Sequence, residues 1–158
     1  YNAVKQANPK VLFGISPQGT ISGNEKQSAD VQTWGQTAGY CDYLLPQLYF
    51  GFQNSTAPFA ETAAFWAEQV TCPDVSLWIG ICTYKIGQQD TWAGDGMTEW
   101  QTDSQVVSKE LELLCNMDGI DGAAIYDYAS TFQPESSVSE ILSSERDAIQ
   151  VLLQTPAN

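Results

Sequence analysis

Four short apolar segments recur along this chain of 158 residues, and each runs into polar residues at its C-terminal end. They read Val11-Leu-Phe-Gly-Ile-Ser16, Tyr43-Leu-Leu-Pro-Gln-Leu-Tyr49, Leu77-Trp-Ile-Gly-Ile-Cys82 and Gly122-Ala-Ala-Ile-Tyr-Asp-Tyr128. A helix-period pattern follows each. Strand–helix alternation predicts a parallel sheet with its helices outside. Chemistry in such folds sits where the strands end. A complete (β/α)8 barrel needs about 250 residues. The expected fold is therefore α/β, half of a (β/α)8 TIM barrel built from four parallel βα units. No linker divides the chain, so residues 1–158 read as a single domain.

The pattern between the strands sets further expectations. Residues 1–7 read as the tail of a helix. Residues 19–24 read as a polar loop, and residues 30–37 as a helix ending near Gly39. Pro58 suits the first turn of the next helix, where Phe59, Ala63, Trp66, Ala67 and Val70 recur at helical spacing. Residues 83–96 form a long loop, the usual form of a lid or binding loop on such scaffolds. One helix is expected over residues 99–116 and a last one over 138–153.

Charge excludes several function classes. Six basic residues face nineteen acidic ones, a net charge of −13. Nucleic-acid binding is disfavoured, because phosphate contacts need clustered Lys and Arg. An anionic membrane surface is disfavoured for the same reason. No apolar run approaches the roughly 18 residues of a membrane span. There is no signal-peptide pattern, and a secreted parent would carry one upstream. The sequence holds no histidine, which removes Ser-His-Asp and Cys-His catalysis within the chain and the commonest zinc ligand. The spacings of Cys41, Cys72, Cys82 and Cys115 match no metal-knuckle pattern. Cys82, at a strand end, reads as a small buried apolar residue. The other three fall toward the opposite face of the sheet, as buried free thiols or with a Cys41–Cys72 disulfide. No cofactor is expected. Asp90 and Asp95 offer oxygen ligands, but their spacing does not fit an EF-hand loop, and no metal site is expected.

Side chains alternate along a strand, so one set faces the barrel interior. That set places Ser16, Gln47, Tyr49, Tyr84 and Tyr126 around the carboxyl mouth. Hydroxyls, an amide and aromatic faces suit a sugar, which needs hydrogen bonds at its rim and an apolar plate for its C–H face. The alternative is that these tyrosines cap the core with their hydroxyls in water. Pro46 cannot donate to the ladder, and a bulge there would re-aim Gln47. Lys85, next to Tyr84, offers a cation for a carboxylate or acidic sugar, or is simply solvated. Trp92, on the long loop, offers a stacking face. A glycosidase needs two carboxyl groups about 5–9.5 Å apart. Asp127 points outward by alternation, Asp42 and Asp121 lie at the N-terminal ends, and Glu99 and Asp103 follow the long loop. No carboxylate pair emerges.

Five stretches resemble, in order and spacing, the C-terminal part of the glycosyl-hydrolase-like family 10 proteins of bacteria. They are Phe13-Gly-Ile-Ser-Pro17, Asp42-Tyr-Leu-Leu-Pro-Gln-Leu-Tyr49, Ile79-Gly-Ile-Cys-Thr-Tyr-Lys-Ile-Gly87, Asp90-Thr-Trp-Ala-Gly-Asp-Gly96 with Glu99-Trp100, and Gly119-Ile-Asp-Gly-Ala-Ala-Ile-Tyr126. The resemblance implies strands five to eight of a full barrel. It implies an extracellular or cell-surface bacterial protein acting on a glycan, with peptidoglycan strands named first. The family's acidic Asp-Gly-Ile-His-Asp-Asp-Tyr-like strand end belongs upstream, and Asp121-Gly122 is not that motif. The catalytic carboxylates are then expected in a missing N-terminal half-barrel, and the isolated chain is expected to be inactive. The resemblance carries over only substrate-side positions: Ser16, Gln47, Tyr49, Tyr84, Lys85 and Tyr126. The alternatives are a non-catalytic carbohydrate-binding module and a half-barrel that closes on itself as a homodimer.

Overall fold

A computed structural model describes residues 1–154. Helix α1 (Asn2–Ala7) leads into strand β1 (Gly14–Ile15), and helices α2 (Ile21–Lys26) and α3 (Val31–Gln36) follow. Strand β2 (Tyr43–Leu44) leads to α4 (Phe59–Gln69), and β3 (Ser76–Cys82) to α5 (Glu99–Thr102) and α6 (Val106–Cys115). Strand β4 (Gly122–Tyr126) runs straight into α7 (Tyr128–Phe132), and α8 (Ser139–Gln154) closes the described chain. The sheet is four-stranded and all parallel, in the order β1-β2-β3-β4. Crossovers between parallel strands are right-handed as a rule, and with sequential strand order that puts the helices on one face. This architecture is consistent with half of a (β/α)8 barrel.

The two faces differ as that winding requires. Leu44, Leu77, Ile79 and Ile81 point outward and are fully buried with Phe59, Ala63 and Trp66 of α4, Val107 and Leu114 of α6, and Leu142 of α8. Each of the Leu, Ile, Val and Phe side chains contributes about 1.5–3 kcal/mol by leaving water. Trp66 also satisfies its indole N–H on the Gly19 carbonyl at 2.7 Å. On the other face Trp78 is 40% exposed. Glycines there sit beneath large rings: a Cβ on Gly14 would lie 2.0 Å from the Tyr43 ring, and one on Gly122 2.8 Å from Trp78.

Aspartates staple the strand starts. Asp42 accepts the Phe13 N–H at 2.6 Å and pairs with Lys5 of α1 at 2.8 Å. The Lys5 bond, then the Phe13 bond, hold its carboxyl below the usual range. Asp121 accepts the Leu77 N–H at 2.9 Å. Both carboxylates that the sequence places at the wrong end for catalysis thus tie neighbouring strands together.

Several expectations need correction. The first two strands are shorter than the apolar segments, because Pro17 and Pro46 have no N–H for the ladder. Pairing nonetheless resumes beyond Pro46: Gln47 bridges both Gln18 and Gly80, and Leu48 N–H reaches the Gly80 carbonyl at 2.8 Å. The polar loop at 19–24 is largely α2. Thr20 caps it, and the buried Asn24 amide donates to the Gln18 and Thr20 carbonyls at 2.8 and 2.9 Å. The single helix at 99–116 is two. Asp103 takes the Gln105 N–H at 2.9 Å in a local turn that competes with helical bonding. Glu145 of α8 then accepts the first-turn N–H groups of Val107 and Ser108 at 3.0 and 2.9 Å, which starts α6 afresh. The fourth strand ends at Tyr126. Asp127 caps α7 in a reciprocal box with Ser130, and Tyr128 turns away to pack its ring on Phe132 at 5.0 Å. All four thiols are free; Cys41 and Cys82 are buried, Cys72 is half-buried, and Cys115 is exposed rather than buried.

Candidate functional site

The carboxyl mouth is built from the strand ends upward. Tyr49 follows β2, Tyr84 follows β3 and Tyr126 ends β4. Their rings form a closed cluster: Tyr49 stacks on Tyr126 at 5.8 Å, and Tyr84 meets both edge-on at 5.9 and 6.0 Å. Cys82 lies fully buried among the strand ends that carry them. Such pairs stabilise by about 0.5–1.5 kcal/mol each beyond area burial, so the cluster is a fixed wall. Burial first, then nearby ionisable groups, raises the phenols of Tyr49 and Tyr84, the latter to about 12. Both are therefore neutral hydrogen-bond donors at physiological pH.

Gln47 and Ser16 complete the wall. The Gln47 amide donates to the Ser16 hydroxyl at 3.2 Å. The backbone bridges on both sides of Gln47 hold its Cα in the sheet, so the break in the ladder at Pro46 leaves the amide at the mouth. Ser16, Gln47, Tyr49, Tyr84 and Tyr126 line one open cavity of about 580 Å³. A second cavity of about 390 Å³ adjoins it, sharing Gln47 and Tyr49 and reaching Trp92. Trp92 is 85% exposed.

Lys85 stands differently from the other predicted positions. Its ammonium donates to Asp90 Oδ2 and to the Tyr49 carbonyl, both at 2.6 Å. The Asp90 side chain is 4% exposed, and it also accepts the Trp92 N–H at 3.2 Å. Lys85 therefore latches the 83–96 loop to the end of β2, and its charge is already neutralised. Asp90, read as a possible cation ligand, is the other half of that latch.

Sequence reasoning missed the support beneath the mouth. Glu99 is buried and accepts the N–H groups of Phe52 and Gln53, each at 2.9 Å. It thereby shapes the loop after β2. Nothing in the sequence announces this, because the partners lie 46 and 47 residues away. Asn54 is buried in the same loop and accepts from Thr56 and Ala57, a turn that Asn54-Ser-Thr-Ala-Pro58 could have signalled. At β4 the Tyr126–Asp127 peptide is cis. The Asp127 carboxylate takes the Ser130 N–H at 2.8 Å. The Asp127-to-Ser130 spacing is a capping signal that the alternation argument passed over. Thr83 links this corner to β3 through 2.8 Å contacts with Ser130 and Thr131.

A sequentially wound parallel sheet with its polar and aromatic groups at the carboxyl mouth defines a barrel-type α/β protein. The chain belongs to the family described as Glycosyl hydrolase-like 10, whose model matches residues 1–94. It is 28% identical over 161 aligned residues to the glycosyl hydrolase DigH of Escherichia coli K12, covering 90% of this chain and 36% of that protein. Over 99 residues it is 33% identical to the glycosyl hydrolase YngK of Bacillus subtilis 168, covering 52% of this chain and 19% of that protein. The chain thus spans about a third of the length of its DigH relatives.

Proposed function

We propose that this chain forms the substrate-side wall of a glycoside hydrolase acting on a bacterial glycan, with peptidoglycan glycan strands the first candidate. The reading rests on one observation: the mouth presents hydroxyls, an amide and aromatic rings, while the carboxylates around it are otherwise engaged. Asp90 holds Lys85, Glu99 holds two backbone N–H groups, and Asp127 caps a helix. Glycosidic cleavage needs a proton donor and a second carboxylate on opposite sides of the scissile bond. Those two groups come from the remainder of a longer polypeptide, the N-terminal half-barrel. Ser16, Gln47, Tyr49, Tyr84 and Tyr126 orient the sugar through hydrogen bonds and ring stacking, and Trp92 stacks at one end. Lys85 serves by holding the loop that carries Trp92. The assembled protein works at the bacterial cell surface or outside the cell.

The test is glycan binding by the full-length protein with Gln47→Ala and Tyr126→Ala. Each substitution should weaken binding about tenfold, which corresponds to about 1.4 kcal/mol, without lowering the denaturation midpoint by more than a few degrees. Unchanged binding in both would remove this mouth from the reading.

A second reading follows from the sheet's open edges. Leu12, before β1, is 71% exposed, and Tyr128 and Phe132, after β4, are 69% and 56% exposed. An unpaired parallel edge flanked by apolar groups favours another strand beside it. A second copy of this chain would close both edges. A monomer at micromolar concentration by sedimentation would count against that dimer.

A further inference from the structure

Two of the four cysteines lie at the strand starts, the end of the sheet opposite the mouth. Cys41 precedes β2, and Cys72 sits in the turn between α4 and β3. Both rest on the end of α3. The Cys41 thiol meets the Trp34 carbonyl at 3.9 Å. The Cys72 N–H donates to the next carbonyl along the same helix, that of Gly35, at 3.0 Å. Successive residues of a helix rise by only about 1.5 Å. The Thr71 N–H shares the Gly35 carbonyl at 3.1 Å. A Cβ on Gly35 would lie 3.2 Å from Val70 Cγ2 and 3.4 Å from the Gln69 carbonyl oxygen, so α3 is seated directly on the end of α4. Strand pairing draws the same segments together from the other side. The Ser76 N–H reaches the Asp42 carbonyl at 2.9 Å, and the Val75 N–H folds back onto the Cys72 carbonyl at 3.1 Å.

The two thiols differ in access. Cys41 is 1% exposed, and Cys72 is half-buried. Burial, then Asp42, then Cys72 push the Cys41 thiol up to about 11. The two sulfurs are thus near enough to feel each other's charge. A reagent from solvent meets Cys72 first, and Cys41 is reached through Cys72.

We infer that Cys41 and Cys72 are a dithiol that closes to a disulfide under oxidising conditions, clamping α3, the start of β2 and the α4–β3 turn together. The oxidant is a small disulfide. The Cys72 thiolate attacks one of its sulfurs and releases one thiol, leaving a mixed disulfide on Cys72. The Cys41 thiolate then attacks the Cys72 sulfur, forms the Sγ–Sγ bond and releases the second thiol. The pair gives up two protons and two electrons, and the small disulfide is reduced to two thiols. The reduced pair is the form in this structure. The closed ring holds residues 41–72, which include β2 and α4. Closing a loop of that length restrains the unfolded chain and stabilises the fold. The pair lies away from the mouth, so its test is independent of the glycan reading.

The experiment is oxidation of the folded full-length protein with oxidised glutathione, followed by thiol blocking, digestion and mass spectrometry without reductant. The expected product is a peptide pair linked through Cys41 and Cys72. The thermal midpoint should rise by at least about 3 °C and return when reductant is added. Cys41→Ala should stop the reaction at a glutathione adduct on Cys72 and abolish the rise. The adduct in the native protein should close about tenfold faster per pH unit from pH 7 to pH 9, because the attacking Cys41 is mostly protonated there. A native protein that keeps its Cys72 adduct at pH 9, or that links Cys72 to Cys115 instead, overturns the inference. So does a Cys41–Cys72 link that forms only in denaturant.

Discussion

Glu110 of α6 gives the most demanding prediction. It is fully buried, and neither carboxyl oxygen has a hydrogen-bond partner among the described residues. Burial raises its pKa well above the carboxylate range, the charges of Glu145 and Glu99 raise it further, and Lys85 opposes them. In the unfolded chain the group titrates at about 4.3. In the fold it keeps its proton to a higher pH. Folding therefore takes up a proton between those two values. The stability this confers is complete below the unfolded pKa and is lost as pH rises toward the folded one. One such proton gives a slope of about −1.4 kcal/mol per pH unit. Glu145, whose pKa is also raised by burial, adds to the slope of the native protein. Glu110→Gln keeps the volume and removes the titration. Denaturant unfolding at half-unit steps from about pH 3.5 to pH 8 should show the two proteins nearly equal at the acid end, below the unfolded pKa. The variant should gain steadily as pH rises, by about 1 kcal/mol or more per unit at first. Parallel stability curves across that range would refute the argument that Glu110 is buried as the neutral acid.

Other positions test the supports of the mouth. Lys85→Met leaves Asp90 buried without its cation and should cost about 3 kcal/mol, the low end for breaking a buried pair; adding Asp90→Asn should restore part of it, and both are read from the denaturant midpoint. Gly51→Ala would place a Cβ 1.9 Å from Glu99 Oε2, so the carboxylate must leave the Phe52 and Gln53 N–H groups. A loss of about 2 kcal/mol and faster proteolysis of the 51–57 loop should follow. A thiol reagent at pH 8 should label exposed Cys115 at once and Cys72 slowly. It should reach Cys41, whose burial pushes the thiol up to about 11, and Cys82, pushed higher still, only on unfolding.

The parallel four-unit plan was legible because a buried parallel strand leaves a short apolar run and its helix a 3.6-residue period. Gly14-Ile15 and Tyr43-Leu44 show the limit: the apolar runs are longer than the strands, and two prolines decide where the ladder stops. Helix α2 was hidden because Ser22, Gly23 and Asn24 are weak helix formers, and a buried Asn24 amide overrides that weakness. At the mouth, alternation alone brought Ser16, Gln47, Tyr49, Tyr84 and Tyr126 to one cavity. It takes no account of helix caps, and the one at Asp127 ends the fourth strand two residues before the apolar segment does. It had no access to Lys85's partner, because whether a loop lysine is solvated or latched depends on where the loop folds. Glu99, Glu110 and Glu145 were equally out of reach, since burial of a helical carboxylate is fixed by the loop or helix packed against it and not by its own helix.

The central claim is that this chain supplies walls while the acid and its partner carboxylate come from elsewhere in a longer polypeptide. The direct measurement is the rate of glycan-strand cleavage, by reducing-end release, for the purified 158-residue chain and for the full-length protein at equal concentration. The account predicts turnover by the full-length protein and none above background by the chain alone. Comparable turnover by the chain alone would place the catalytic carboxylates within these residues and contradict it.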